Sequence, residues 1–236
     1  NFWIILLIFV VILGPIMGQG ESYPGTLKKF ILTFTVLDPA YNGAWWFFTT
    51  YIILALLSSI INKIVIKYNN IAIIAISFIF YVVAYIQRIK GVIVFDNEVL
   101  NWFIRQIALF GTSQLPFIIG VVFSHKKIYS KLNSMSSKIK YKNALGILII
   151  VLMIIAHGIL QTLFVAVFTG VVFICVFNLM DKPKWLNNLL SYLGGYSTNM
   201  WLIHMFFYMI YFKELVYGAK YSFLIFPWLV VLCLAS

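Results

Sequence analysis

Charge is scarce in this sequence. Of its 236 residues only 10% are Asp, Glu, Lys or Arg, whereas 63% are hydrophobic and 18% aromatic. A soluble domain carries about a quarter charged residues, so a water-facing globule is excluded and a chain that lives in a bilayer is expected. The six acidic residues, Glu21, Asp38, Asp96, Glu98, Asp181 and Glu214, leave no paired carboxylates inside any apolar run. That argues against an ion-coupled transporter with an acidic relay. The two cysteines, Cys175 and Cys233, sit in apolar runs without metal or redox spacing and read as small packing residues. HExxH, CxxC, GxSxG and phosphate-cradling glycine loops are all missing, which excludes a membrane metalloprotease and leaves no metal site to expect.

What is present is hydrocarbon in lengths that match a membrane. Runs such as 45–61, 71–86 and 159–177 approach the roughly 20 residues a helix needs to cross about 30 Å. Eight apolar segments, near 1–17, 44–62, 70–87, 99–123, 143–157, 159–179, 194–212 and 221–236, predict an all-α polytopic membrane bundle of about eight spans, with 1–236 as a single domain. The fifth and sixth segments are separated only at His157-Gly158 and predict a tight hairpin, with a re-entrant pair as the alternative. Because the chain opens on Asn1 and closes on Ser236 inside apolar runs, it reads as a fragment.

Lysine placement orients the bundle. The formal charge of +11 gathers in short loops, which marks topology rather than a nucleic-acid face. The densest cluster is 125–142, with Lys126, Lys127, Lys131, Lys138, Lys140 and Lys142, and this loop is expected to be cytoplasmic. Alternation then places ten cationic residues inside and six in outer loops, with Arg105 within a span. The outer segment 18–43, carrying the apolar patch Phe30–Leu37, is expected to be a half-inserted interfacial element.

Two stretches carry polar groups into hydrocarbon. In YSTNMWLIHMFF (196–207), Ser197, Trp201, His204 and Tyr208 share one helical face and Asn199 points nearly opposite. Ser197 or Thr198, after Gly194-Gly195, is expected to cap the helix. His204, about 10 Å deeper, either bonds a neighbouring helix as a neutral imidazole or acts in chemistry or donor binding. Seven residues of separation on one helix exclude a direct Ser197–His204 pair. In 99–123, Arg105 either snorkels to the outer headgroups or faces a polar cavity that holds an anionic or carbohydrate ligand. Pro116 and Gly120 mark a place for a kink and close packing. His157 reads as an interfacial or turn residue, and Trp45-Trp46 as part of an interfacial aromatic belt.

Three stretches, in order, resemble the acyltransferase-3 family of multispanning enzymes that O-acylate surface sugars. NGAWWFFTTYIILALLSSIINKI (42–64) looks like the family's Trp-Phe-rich helix, QLPFIIGVVFSHKKIYSKL (114–132) its LPFF-x-x-G helix and basic loop, and LGGYSTNMWLIHMFF (193–207) its C-terminal LG-x-x-S-x-x-x-(Y/W)-L-I-H helix. The resemblance implies a fold of about ten helices in a bacterial inner membrane. It implies transfer of an acyl group, usually acetyl, from cytoplasmic acetyl-CoA as co-substrate, with no bound cofactor, to a hydroxyl of an envelope or exported glycan. It carries over Trp45 or Trp46, Pro116, Gly120, Gly194, Ser197, Trp201, Ile203 and His204. His204 is then the candidate catalytic or donor-site residue, and Arg105, Ser197, Trp201, Trp45 and Trp46 are candidate substrate contacts. The 125–142 lysines suit the phosphates of coenzyme A. The family's first helix, in which a basic residue precedes a histidine by about ten positions, has no counterpart here and is expected upstream of Asn1, so the fragment alone is expected to be inactive. The alternative is a non-enzymatic carrier or flippase for a lipid-linked glycan, with a scaffold subunit as a third class.

Overall fold

The computed structural model describes residues 1–160, 162–218 and positions 225, 227, 228, 230, 231 and 234; most of the eighth apolar segment and Cys233 lie outside the described residues. All the regular secondary structure among the described residues is helical. The helices are α1 (Phe2–Ile16), α2 (Leu27–Phe34), α3 (Trp46–Lys67), α4 (Asn70–Lys90), α5 (Glu98–His125), α6 (Ile128–Ser136), α7 (Lys142–Ile159), α8 (Leu163–Leu179), α9 (Lys184–Met205, continuing as Phe206–Tyr211) and α10 (Lys213–Tyr217).

Four of them, α3, α4, α5 and α7, are long and apolar enough to cross a membrane, which supports a helical membrane protein among the described residues. The expected count of about eight spans is not reached among the described residues. Helices α1 and α8 fall among the shorter apolar helices of 10–17 residues, and a rise of 1.5 Å per residue leaves such helices short of about 30 Å of hydrocarbon. The polar first half of α9 dilutes its hydropathy below that of a span.

The chain divides into two compact units, Asn1–Tyr51 with Lys184–Ser236, and Ile52–Pro183. In the first unit, two helices change register. Residues Leu7–Leu13 of α1 and Phe206–Tyr211 of α9 are wound as π-helix, a form that widens the turn and displaces the usual carbonyl partners. The two wide segments meet through Phe9, whose ring lies 5.1 Å from that of Phe206 and 5.7 Å from that of Phe207. The Tyr211 hydroxyl donates to the Phe9 carbonyl. A donor from a side chain is what irregular backbone needs where no water can reach it.

Helix α2 in the same unit is turned inside out. Thr26 caps it, its hydroxyl oxygen accepting from the Lys29 N–H at 3.3 Å. Thr33 is fully buried and donates to the Asp38 carbonyl at 3.1 Å, while Leu27, Ile31 and Phe34 form an exposed apolar stripe. That stripe, at spacing i, i+4, i+7, fits the interfacial element expected for 18–43. The α2 terminus closes through Val36, a β-branched residue at φ 60, where glycine is usual.

In the second unit, α4 and α5 form the most extensive helix pair. Each starts on an asparagine cap: Asn69 accepts from Ile71 and Ala72, and Asn97 from Val99 and Leu100. They pack closely at Gly111, where a Cβ would come within 2.4 Å of the Ala84 Cβ. At Gly120, expected to be the packing glycine, a Cβ would meet nothing within 4 Å, and the helix continues across Pro116. Below Gly111, the Ser77 hydroxyl donates to the Gln114 amide oxygen at 2.5 Å and the Gln114 amide donates back to the Ser77 carbonyl at 2.8 Å. Tyr81 and Tyr85 then hold α8, through the Phe164 carbonyl and the Thr162 hydroxyl, each at 2.8 Å. Helices α7 and α8 form the expected hairpin, with Gly146 close against Met180.

The lysine-rich end of this unit is one polar layer. Lys142 pairs with Asp181 at 2.6 Å, Asn143 bonds both the N–H and the carbonyl of Asp181, and Tyr129 donates to the Asn178 carbonyl. His125 lies 3.4 Å from the Asn62 amide oxygen. With its amide turned, Asn70 donates to the Val65 carbonyl at 3.1 Å and accepts from Lys126 at 3.3 Å. The loop 125–142, the α3–α4 turn and the α8–α9 junction therefore share one end, as the lysine alternation requires.

Candidate functional site

The stretch that carries His204 is built around one backbone oxygen. Trp45 is fully buried, and its indole N–H donates to the Leu202 carbonyl at 2.9 Å. The Asn42 amide, also buried, donates to the same oxygen at 3.0 Å, while its own oxygen accepts from the Ala44 N–H at 2.9 Å. Leu202 lies one turn before the π segment opens at Phe206. Two side-chain donors thus saturate a carbonyl at the point where the helix changes register. Trp45 is no interfacial belt residue: its ring packs against Phe2 at 4.8 Å and Phe206 at 5.4 Å. Trp46 is half-buried, its ring 5.7 Å from that of Phe47.

His204 occupies the last α-helical turn before that change and is half-buried. Its Nδ1 lies 2.6 Å from the Trp201 carbonyl and 3.2 Å from the Met200 carbonyl. Both partners only accept, so Nδ1 carries a proton, and the tautomer this selects for a neutral ring has its lone pair at Nε2. The Tyr208 ring lies 5.6 Å away, one turn on. Trp201 is half-buried, edge-on to Phe47 at 6.0 Å. The opposite face of α9 is engaged as its phase predicts, Asn199 accepting from the Asn1 amide at 2.9 Å.

Ser197 is not a helix cap. Helix α9 begins at Lys184, runs through Gly194 and Gly195, and the exposed Ser197 donates to the Gly194 carbonyl at 2.8 Å. Trp185, Leu186, Leu189, Leu190 and Leu193 recur at helical spacing, and this pattern carries the helix through residues whose Gly, Asn and Ser content reads as loop.

Arg105 belongs to the second unit. It lines a cavity of about 300 Å³ between α4 and α5, together with Gln87, Arg88, Asn101 and the loop residues Ile93 and Val94. Sequence reasoning missed Arg88, which it left in an outer loop. The side chains of a helix lean toward its N-terminus, so Arg88 reaches back along α4 and donates to the Thr112 hydroxyl at 3.2 Å. A larger, almost wholly apolar cavity of about 430 Å³ lies among Leu57, Ile61, Ile73, Phe80, Phe110 and Ile118. His157 is exposed and borders a third, between α7 and α8.

The outer segment 18–43 contains a lysine held by rings. Lys29 sits 4.4 Å from the centre of the Tyr41 ring and 5.4 Å from that of Tyr23, and donates to the Ser22 carbonyl at 3.3 Å. Burial pushes the Tyr23 and Tyr41 phenols up, Tyr41 also through its neighbour Tyr23, and holds the Lys29 ammonium below its usual range.

Among the described residues, no group of three or more His, Cys, Asp or Glu comes together as a metal site. No protein-family model, curated protein or solved structure matches this chain.

Proposed function

We propose that the chain is part of a membrane-embedded O-acyltransferase of the acyltransferase-3 type, which moves an acyl group, in the first instance acetyl, from cytoplasmic acyl-CoA to a hydroxyl of a cell-envelope or exported glycan. The observation that carries this reading is the disposition of His204 within the LG-x-x-S-x-x-x-W-L-I-H stretch. Its Nδ1 is tied to the Trp201 carbonyl, which fixes the ring and leaves Nε2 as the basic atom. A histidine fixed in one tautomer is suited to accept a proton from an attacking hydroxyl or to hold a thioester donor. The tripartite sequence resemblance supplies the reaction class.

In this reading His204 and Trp201 contact the donor or the reacting centre, and Trp45 and Asn42 set the helix that presents them. Arg105 lies on the outer, acceptor side by the lysine topology. The test is transfer of radiolabelled acetyl from acetyl-CoA to envelope glycan in membranes that contain the complete gene product. His204→Gln is expected to lower transfer by at least about a hundredfold at unchanged membrane abundance. Translocation of a lipid-linked glycan without consumption of acetyl-CoA would replace this reading with that of a carrier.

A further inference from the structure

The cleft that Arg88 and Arg105 share has the construction of a ligand site. Two arginines from neighbouring helices line one cavity of about 300 Å³. Each brings a rigid planar array of N–H donors that matches a tetrahedral oxyanion, in pairs and without loss of charge at any physiological pH. Arg88 is steadied by the Thr112 hydroxyl, whose own proton is directed at the Ala108 and Leu109 carbonyls.

The wall of the cleft is fixed as firmly. The Gln87 amide bonds both the N–H and the carbonyl of Ile93, each at 2.8 Å, and the Asn101 amide does the same to Phe95, at 2.8 and 2.6 Å. Gly91, in the left-handed region at φ 57, turns the chain out of α4. These clamps shape a loop whose Val92, Ile93, Val94 and Phe95 are all exposed and apolar. An apolar rim held over a pair of cations beside the end of a membrane-spanning helix suits an amphiphile with an anionic head.

We propose that this cleft binds the phosphate of an anionic phospholipid, with Arg88 and Arg105 on the phosphate oxygens and the 92–95 loop seated among the neighbouring lipid chains. Single arginines near a helix end reach the headgroup layer as independent, exchangeable contacts. Two that line one cavity with a clamped wall define a place for one lipid. The proposal stands apart from acyl transfer, since lipid retention needs neither donor nor acceptor.

The test is lipid retention by the complete gene product, purified in a neutral maltoside, mixed with equal phosphatidylglycerol and phosphatidylcholine, washed, and analysed by mass spectrometry. The wild type is expected to retain phosphatidylglycerol about tenfold over phosphatidylcholine. Arg88→Gln with Arg105→Gln is expected to abolish the preference, and Arg105→Lys to reduce it by roughly half because charge remains without the fork. Ile93→Asp, a single change on the exposed wall, sets a carboxylate at the cleft with both arginines intact and is expected to abolish the preference as well. An undiminished preference in folded Ile93→Asp protein or in the folded double variant overturns the proposal. Displacement of phosphatidylglycerol by millimolar inorganic phosphate would also overturn it, because the site would then serve a soluble phosphate rather than a lipid.

Discussion

The indole N–H of Trp45 and the carbonyl of Leu202, residues 157 positions apart, are joined by a hydrogen bond of 2.9 Å in a fully buried setting. Asn42 donates to the same oxygen at 3.0 Å. Trp45→Phe keeps most of the ring and removes one donor, so a loss of about 1 kcal/mol is expected. Asn42→Ala removes the other. The double variant leaves the carbonyl without either side-chain donor, and its loss should exceed the sum of the singles, because a buried acceptor without a partner costs about 1–3 kcal/mol. Thermal unfolding of the four proteins in detergent closes the cycle; simple additivity would mean that the two donors do not share one acceptor.

The α4–α5 pair sets a steric limit at Gly111. With a Cβ only 2.4 Å from the Ala84 Cβ, Gly111→Ala forces the helices apart and is expected to cost about 1–3 kcal/mol. Ala84→Gly introduced with it should restore most of the loss. Gly120→Ala, in open space, should be neutral or stabilising by up to about 1 kcal/mol through helix propensity. Failure of Ala84→Gly to rescue would place the contact elsewhere.

The two residues of the 197–204 face should separate in an acetyl-transfer assay. Because the Ser197 hydroxyl is directed at the Gly194 carbonyl of its own helix, Ser197→Ala is expected to change transfer by less than about twofold. His204→Gln should lower kcat with little change in the amount of folded protein. Equal, severe losses in both variants would return Ser197 to the site and require its hydroxyl to leave the helix backbone.

Alkaline pH should act in opposite directions on the members of the Tyr23–Lys29–Tyr41 cluster. Burial raises both phenols above 10.0 in the folded state, so their contribution is complete below pH 10 and is lost as pH rises through the raised values. Lys29 runs the other way: its folded pKa lies below 10.5, so the cost of burying its charge is borne at neutral pH and relieved as pH rises toward the unfolded value. Ultraviolet titration should therefore show a late-ionising tyrosine fraction that Tyr23→Phe with Tyr41→Phe reduces. An unchanged late fraction in that variant would refute the assignment.

Much of this architecture is written in local pattern. Asn69 and Asn97 ahead of apolar runs announce α4 and α5, and the lysines of 125–142 announce the polar end that Lys142, Asn143 and Asp181 build. What escapes the sequence depends on partners far away. Gly120 is no less glycine than Gly111, and only the neighbours Ala84 and Phe80 distinguish them. Arg88 reads as a loop cation until the Thr112 hydroxyl is seen to hold it. Asn42, followed by glycine, reads as a turn residue and is one, yet its amide also spans to Leu202. The start of α9 was legible in Trp185, Leu186, Leu189 and Leu190, but two glycines outweighed a spacing that tertiary packing goes on to honour. The register of a π segment has no local signature in residue type at all.

That register has a geometric result for α9. Each residue of an α-helix advances the chain by about 100°, so one residue taken up in a wide turn resets the phase of everything that follows. Leu202 and Ile203 are phased by the Trp45 region, whereas Tyr211 is phased by Phe9. A single continuous helix thereby answers to two independent clocks. The rotational setting of His204 is insulated from whatever the distal half must satisfy, and a one-residue deletion within Phe206–Tyr211 would couple the two again.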